Sequence, residues 1–114
     1  IRRLVFMKRQ LKGSTKPVMR QGDYDRMVEA IGSFVTSRRV EPIEPPIQTN
    51  LKATELRYTF YLVWKYCWEK DIERDKVVDF LKATFSQFSE VERETIKKKF
   101  SEKVTGYSYI MVVK

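Results

Sequence analysis

Apolar residues recur at helical spacing along most of the chain. In the first such segment, from Asp23 to Ser37, they form one amphipathic stripe: Tyr24, Met27, Val28, Ile31, Phe34 and Val35. The pattern predicts a helix over these residues, with Asp23 as the cap of its first turn. Residues 38–50 contain three prolines, which favour extended backbone, so a stiff connector is expected to cross the surface there.

A second helix is predicted from about Leu51 to Lys70, with Thr49 or Asn50 as its cap. Apolar residues cover most of its circumference, which is typical of a helix around which others pack. Six of them are aromatic: Tyr58, Phe60, Tyr61, Trp64, Tyr66 and Trp68. These rings are expected to form mainly core, with a surface for a protein partner or a second copy as the alternative.

Two further helices are predicted in the C-terminal half. The third runs from about Ile72 to Phe85, with Asp71 as its cap. The fourth opens at Ser89, because the run from Ser89 to Glu92 matches a capping box. It is expected to end at Gly106, a residue type that favours the left-handed conformation at helix ends.

The two ends of the chain show the patterns of strands. Leu4 to Met7 and Tyr107 to Val113 are apolar segments that could pair as a small sheet against the helices. The predicted fold is therefore mainly α: a compact four- to five-helix domain around a central aromatic-rich helix, with a two-stranded element from the termini as an option. One domain is expected over residues 1–114, with a basic arm, or a strand plus loop, over 1–22 and a helical body with a C-terminal strand over 23–114.

The charge distribution adds a candidate binding site. The 114-residue chain has a net charge of +8, and seven of these charges come from the first 20 residues, which contain no Asp or Glu. The rest of the chain is almost neutral. Such asymmetry indicates an anionic partner: nucleic acid, an acidic membrane surface or an acidic protein. The candidate anion-binding residues, here called the N-terminal basic set, are Arg2, Arg3, Lys8, Arg9, Lys12, Lys16 and Arg20.

The predicted fourth helix carries a second candidate group. We call it the α4 lysine set: Lys97, Lys98, Lys99 and Lys103. A helix, a basic helix and a strand follow one another here, which resembles the order of elements in winged-helix DNA-binding domains. Four glutamates share the same predicted helix, so an ordinary solvated surface is the competing interpretation.

The sequence offers little for catalysis or metal binding. It has no histidine and a single cysteine, Cys67, and its four glycines form no phosphate-binding motif. A lone cysteine indicates a reducing, intracellular compartment, nuclear or cytoplasmic. Carboxylate-based catalysis and magnesium binding are left open without a specific signal. We therefore expect a non-enzymatic protein with no catalytic residues, no metal and no cofactor.

A basic leading segment on a compact helical body is similar in organisation to retroviral matrix domains, which bind membranes. That resemblance lies in the layout and implies a peripheral membrane module as one alternative. The leading hypothesis is a nucleic-acid-binding or nucleoprotein module, for RNA or DNA, that uses the N-terminal basic set. A further alternative is a protein–protein interaction or assembly domain that uses the aromatic helix.

Overall fold

A computed structural model describes the structure of residues 4–11, 15–104 and 110–113. It is mainly helical, as the sequence predicts. The described residues include four α-helices: α1 (Gln21–Ser37), α2 (Ala53–Val63), α3 (Arg74–Thr84) and α4 (Arg93–Lys99). Among these segments, no helix combines the length and the apolar character that crossing a bilayer requires.

Two short strands lie at opposite ends of the chain. β1 (Leu4–Met7) and β2 (Ile110–Val113) pair in antiparallel fashion, with Leu4 opposite Val113 and Met7 opposite Ile110. β2 also contacts α2. The predicted C-terminal strand begins at Tyr107, but positions 107–109 lie outside the described residues, as does Gly106.

Helix α1 begins two residues before the predicted start. Its N-terminal cap is Arg20, whose backbone is extended and whose side chain makes no capping hydrogen bond. The expectation that Asp23 caps the helix is therefore wrong; Asp23 lies in the first turn and pairs with Arg26 at 3.1 Å. The helix ends where Arg38 adopts the left-handed conformation and its N–H donates to the Phe34 carbonyl.

Helix α2 is shorter than predicted because a π-helical turn, Trp64–Trp68, follows it. The cap is Lys52, whose backbone N–H donates to the Glu55 carboxylate at 2.9 Å, so neither Thr49 nor Asn50 caps this helix. A π turn holds more residues than an α turn and so shifts the residues after it around the helix. Trp68 is buried there, whereas Cys67 is only partly buried.

The predicted bounds of the third helix are too wide. Helix α3 begins at Arg74 with Glu73 as its cap, so Asp71 does not cap it, and the helix ends at Thr84. Ile72 precedes the helix and is buried all the same.

The predicted fourth helix is wrong at both ends. The Ser89 hydroxyl donates to the Ser86 carbonyl at 2.9 Å, so Ser89 caps the C-terminal end of the 3-10 turn Ser86–Phe88 and does not begin α4. Glu92 is the cap of α4. The helix ends at Lys99, whose carbonyl accepts a hydrogen bond of 3.0 Å from the Arg57 side chain.

The connector between α1 and α2 contributes to the core. Ile47 is fully buried, its N–H donates to the Thr84 carbonyl at 2.8 Å, and its carbonyl accepts from the Ser86 N–H at 2.9 Å. These bonds attach the connector to the end of α3. The predicted surface connector is thus anchored in the interior at this point.

The buried apolar residues that the structure describes form one hydrophobic cluster. Helix α2 supplies Leu56, Phe60 and Val63 to it. The Phe60 ring lies 6.0 Å from Phe80 and 5.5 Å from Phe85. Phe60 therefore connects α2 to α3 and to the turn after it.

Candidate anion-binding surfaces

The segment that carries the N-terminal basic set is attached to the body of the protein. Val18 and Met19 are buried in the core. The Val18 carbonyl accepts from the Asn50 N–H at 2.7 Å and from the Thr49 hydroxyl at 2.9 Å. The Val18 N–H donates to the Arg9 carbonyl at 2.7 Å. The described part of this segment therefore joins the helical body before position 23, the predicted boundary.

Arg9 is held at the first turns of α1. Its guanidinium carbon lies 4.3 Å from the centre of the Tyr24 ring, a cation–π contact. The same guanidinium donates to the Gln21 side chain, which in turn donates to Asp25 at 2.8 Å. The side chain remains exposed, so its positive charge is oriented and still accessible.

Three other members of the N-terminal basic set lie within the described residues. Lys8, Lys16 and Arg20 are exposed, and the Lys16 carbonyl accepts from the Leu11 N–H at 2.9 Å. Arg2, Arg3 and Lys12 lie outside the described residues.

The side of α4 that faces α3 is an ion-pair network. The Lys97 ammonium lies 3.1 Å from the Asp75 carboxylate. Arg93 donates to Asp79 and lies 3.8 Å from Asp75. The hydrogen bond and the charge of Asp79 raise the pKa of Arg93 above its ordinary value. Because carboxylates already balance these cations, Lys97 is a weaker candidate for anion binding than the sequence indicates.

The other side of α4 carries Lys98 and Lys99, whereas Lys103, which the sequence places in the same helix, lies beyond its end. All three lysines are exposed, and among the residues the structure describes no carboxylate forms an ion pair with them. The nearby carboxylate of Glu102 pairs with Arg57 at 3.8 Å. The lysines on this side thus remain candidates for anion binding.

Arg57 positions this end of α4. It is buried, and its Nε donates to the Lys99 carbonyl. Burial lowers the pKa of Arg57, and the charge of Glu102 partly offsets that effect. A guanidinium at the C-terminal end of a helix also interacts favourably with the helix dipole.

Partly exposed aromatic rings of α2 lie beside the end of α4. The Tyr58 and Tyr61 rings are stacked, with centres 6.2 Å apart. The Lys65 ammonium lies 5.9 Å from the Tyr61 ring centre, and the Phe100 ring meets Tyr61 edge-on at 5.6 Å. We call Tyr58, Tyr61, Lys65 and Lys99 the aromatic–lysine surface.

The sequence predicts one aromatic group on the second helix, and the structure divides it between α2 and the π turn that follows. Phe60 and Trp68 are buried, Tyr58 and Tyr61 are partly exposed, and Tyr66 is 55% exposed. Lys65 was not a predicted site residue. Its spacing from Tyr58 and Tyr61, i, i+3 and i+7 on one helix, is the signal that places it with them.

Two cavities along α1 have mixed charge. One, of about 270 Å³, is lined by Arg26 and Arg39 together with Glu29 and Glu41. Another, of about 380 Å³, is lined by Arg20 and Arg26 together with Asp23. The equal numbers of acidic and basic groups make the first cavity a poor site for an anion, and in the second Asp23 already pairs with Arg26. No three acidic or cysteine residues of the described chain are grouped so that they could hold a metal ion.

Comparison with known proteins gives no match: no family model, no curated protein and no solved structure is significantly similar to this chain. The functional argument therefore rests on the charges and contacts described above.

Proposed function

We propose that this protein is a non-enzymatic nucleic-acid-binding module, of the kind found in nucleoproteins, that acts in the nucleus or the cytoplasm. The N-terminal basic set contacts phosphates, and the helical body provides a rigid base for them. The observation that carries the proposal is the concentration of seven of the eight net charges in the first 20 residues. Seven cations without acids match a polyanion better than a small anion.

The attachment of this segment supports the proposal. Arg9 is oriented by Tyr24 and Gln21. The Val18 carbonyl accepts hydrogen bonds from Thr49 and Asn50 at the end of the connector, and these bonds fix the chain close to Arg20. A cation that is already ordered loses less conformational entropy when it binds a phosphate. In this proposal Lys98, Lys99 and Lys103 are accessory phosphate contacts.

The proposal also includes the strand pair and the number of helices in the domain. We propose that the pair β1–β2 is an integral part of one domain of four to five helices. Lys8 and Arg9 directly follow β1 in the chain, so the strand pair would hold them in place. Charged residues beside a short strand pair also protect its edges from aggregation.

The test is a salt series with labelled RNA and DNA, single- and double-stranded, using the whole chain. Replacement of Arg2, Arg3, Lys8 and Arg9 by alanine is expected to weaken binding about 100-fold at about 0.1 M salt. It should also reduce the slope of log K against log salt by about 3. The matched control replaces four exposed basic residues outside both sets: Arg39, Lys70, Arg74 and Lys76.

The result separates the proposal from its alternatives. Equal affinities for the two quadruple variants would overturn a role for the N-terminal basic set. Binding to acidic vesicles without nucleic-acid binding would indicate a peripheral membrane module. Self-association that persists at high salt, without binding to nucleic acid or vesicles, would indicate an assembly domain. Salt screens charges but does not screen apolar contacts.

A further inference from the structure

We infer that the aromatic–lysine surface binds single-stranded nucleic acid, with a base stacked on Tyr58 and the flanking phosphates held by Lys65 and Lys99. This inference rests on the proposed function and specifies the form of nucleic acid. It adds a binding surface on α2 to the contacts of the N-terminal basic set.

The arrangement of the rings is the first argument. Tyr61 is fixed from several sides, by Tyr58 at 6.2 Å, Trp64 at 6.1 Å and Phe100 at 5.6 Å between ring centres. Tyr58 stacks on this fixed ring with an interplanar angle of 21° and remains partly exposed. It therefore presents an aromatic ring in a defined orientation near the surface, as a base-stacking site requires.

The charges around the rings are the second argument. Lys65 lies over Tyr61, and Arg57, the residue before Tyr58, holds the Lys99 carbonyl at 3.0 Å. Two exposed lysines thus adjoin the rings: Lys65 in the π turn after α2, and Lys99 at the end of α4, where Arg57 binds its backbone. The acidic neighbour Glu102 is paired with Arg57 at 3.8 Å, which offsets its repulsion of a phosphate.

A site that binds a base by stacking prefers single-stranded nucleic acid. In a duplex the bases are stacked on one another and cannot reach a side-chain ring, whereas an unpaired base can be placed on one. Lysines beside the ring then follow the backbone phosphates on either side. A protein partner would also fit aromatic rings, but the exposed lysines at this surface favour a strand of phosphates.

The experiment measures the affinity of the whole chain for single-stranded and duplex oligonucleotides of about 12 nucleotides at about 0.1 M salt. The single strands are expected to bind about tenfold more tightly. Tyr58→Leu should remove this preference, and Tyr58→Phe should retain it because the ring remains. Tyr66→Leu is the matched control, since Tyr66 is an exposed tyrosine outside the Tyr58–Tyr61 stack.

Thermal melting of each variant shows whether it folds. If Tyr58→Leu does not fold, Tyr58→Phe still tests the inference, because it keeps the ring and should keep the preference for single strands. Equal binding of both forms by the native chain, or an unchanged preference in folded Tyr58→Leu, would overturn this inference and leave the proposed function intact. If no nucleic acid binds at all, the proposed function fails and this inference fails with it.

Discussion

The two basic sets are joined to the rest of the protein by different kinds of contact. The segment of the N-terminal basic set is anchored by buried Val18 and Met19 and by backbone hydrogen bonds. Helix α4 buries Ile96 but also uses the charges of Arg93 and Lys97 to hold α3. A basic residue is therefore available for a ligand only where apolar contacts or backbone hydrogen bonds, and not its own charge, hold its segment against the protein.

The sharpest test of the apolar anchor is Val18→Ala. Val18 is fully buried, so the shortened side chain leaves a cavity and should lower the free energy of unfolding by about 2 kcal/mol. Val28→Ala is the matched control, because Val28 is 47% exposed and should change stability by less than about 0.5 kcal/mol. Urea denaturation measures both. Equal effects would mean that Val18 does not anchor the segment.

Arg57→Met tests the contact at the end of α4. The substitution keeps the aliphatic volume but leaves the Lys99 carbonyl without its 3.0 Å donor, at an expected cost of about 1.5 kcal/mol in unfolding free energy. The exposed Arg74 provides the control, and Arg74→Met should be nearly neutral by the same denaturation measurement. If Arg57→Met leaves the free energy of unfolding unchanged, the hydrogen bond from Arg57 does not stabilise the end of α4 at Lys99.

A comparison of two neighbouring lysines tests which charges are available. Lys98→Ala should weaken nucleic-acid binding about threefold, whereas Lys97→Ala should leave it nearly unchanged because Lys97 is paired with Asp75 at 3.1 Å. Fluorescence anisotropy at low salt can resolve this difference. The opposite order would contradict the division of α4 into a neutralised side and a basic side.

The smallest expected effect concerns the ion pairs between α3 and α4. Arg93 is partly exposed, so Arg93→Ala should lower Tm by only about 2 °C at low salt and by less at about 0.5 M salt. Lys98→Ala should show no such salt-dependent change. A difference in Tm that persists in full at high salt would mean that Arg93 acts through packing rather than through charge.

The periodic patterns predicted which segments are helical but not which residues each helix buries. Tyr24, Met27 and Phe34 of the predicted stripe are buried, yet Val28 in the same stripe is exposed. The spacing of apolar residues defines one face of a helix. How much of that face is buried depends on the width of the element that packs against it. Helix α1 packs against α3, whose Phe80 ring lies 4.7 Å from the Phe34 ring although the two residues are far apart in the sequence.

Cap signals were the least reliable part of the prediction. Ser89 and Glu92 match a capping box, but the Ser89 hydroxyl donates to the Ser86 carbonyl. Two further hydrogen bonds, from Lys82 to the Ser89 and Val91 carbonyls at 3.1 and 2.6 Å, hold the same turn. A short motif cannot indicate that a lysine from the preceding helix will bind its carbonyl groups.

The sequence by itself determined the mainly helical class, the aromatic character of α2 and the excess of positive charge near the start of the chain. These properties depend on residue type and on spacing within one segment. Only the tertiary structure decided that Lys97 is paired while Lys98 and Lys99 are exposed. It also decided that the end of α4 meets α2, where Arg57 binds the Lys99 carbonyl and the Phe100 ring meets Tyr61. The reason is physical: ion pairs and ring contacts join residues that are far apart in the chain, so packing decides which charges remain for a ligand.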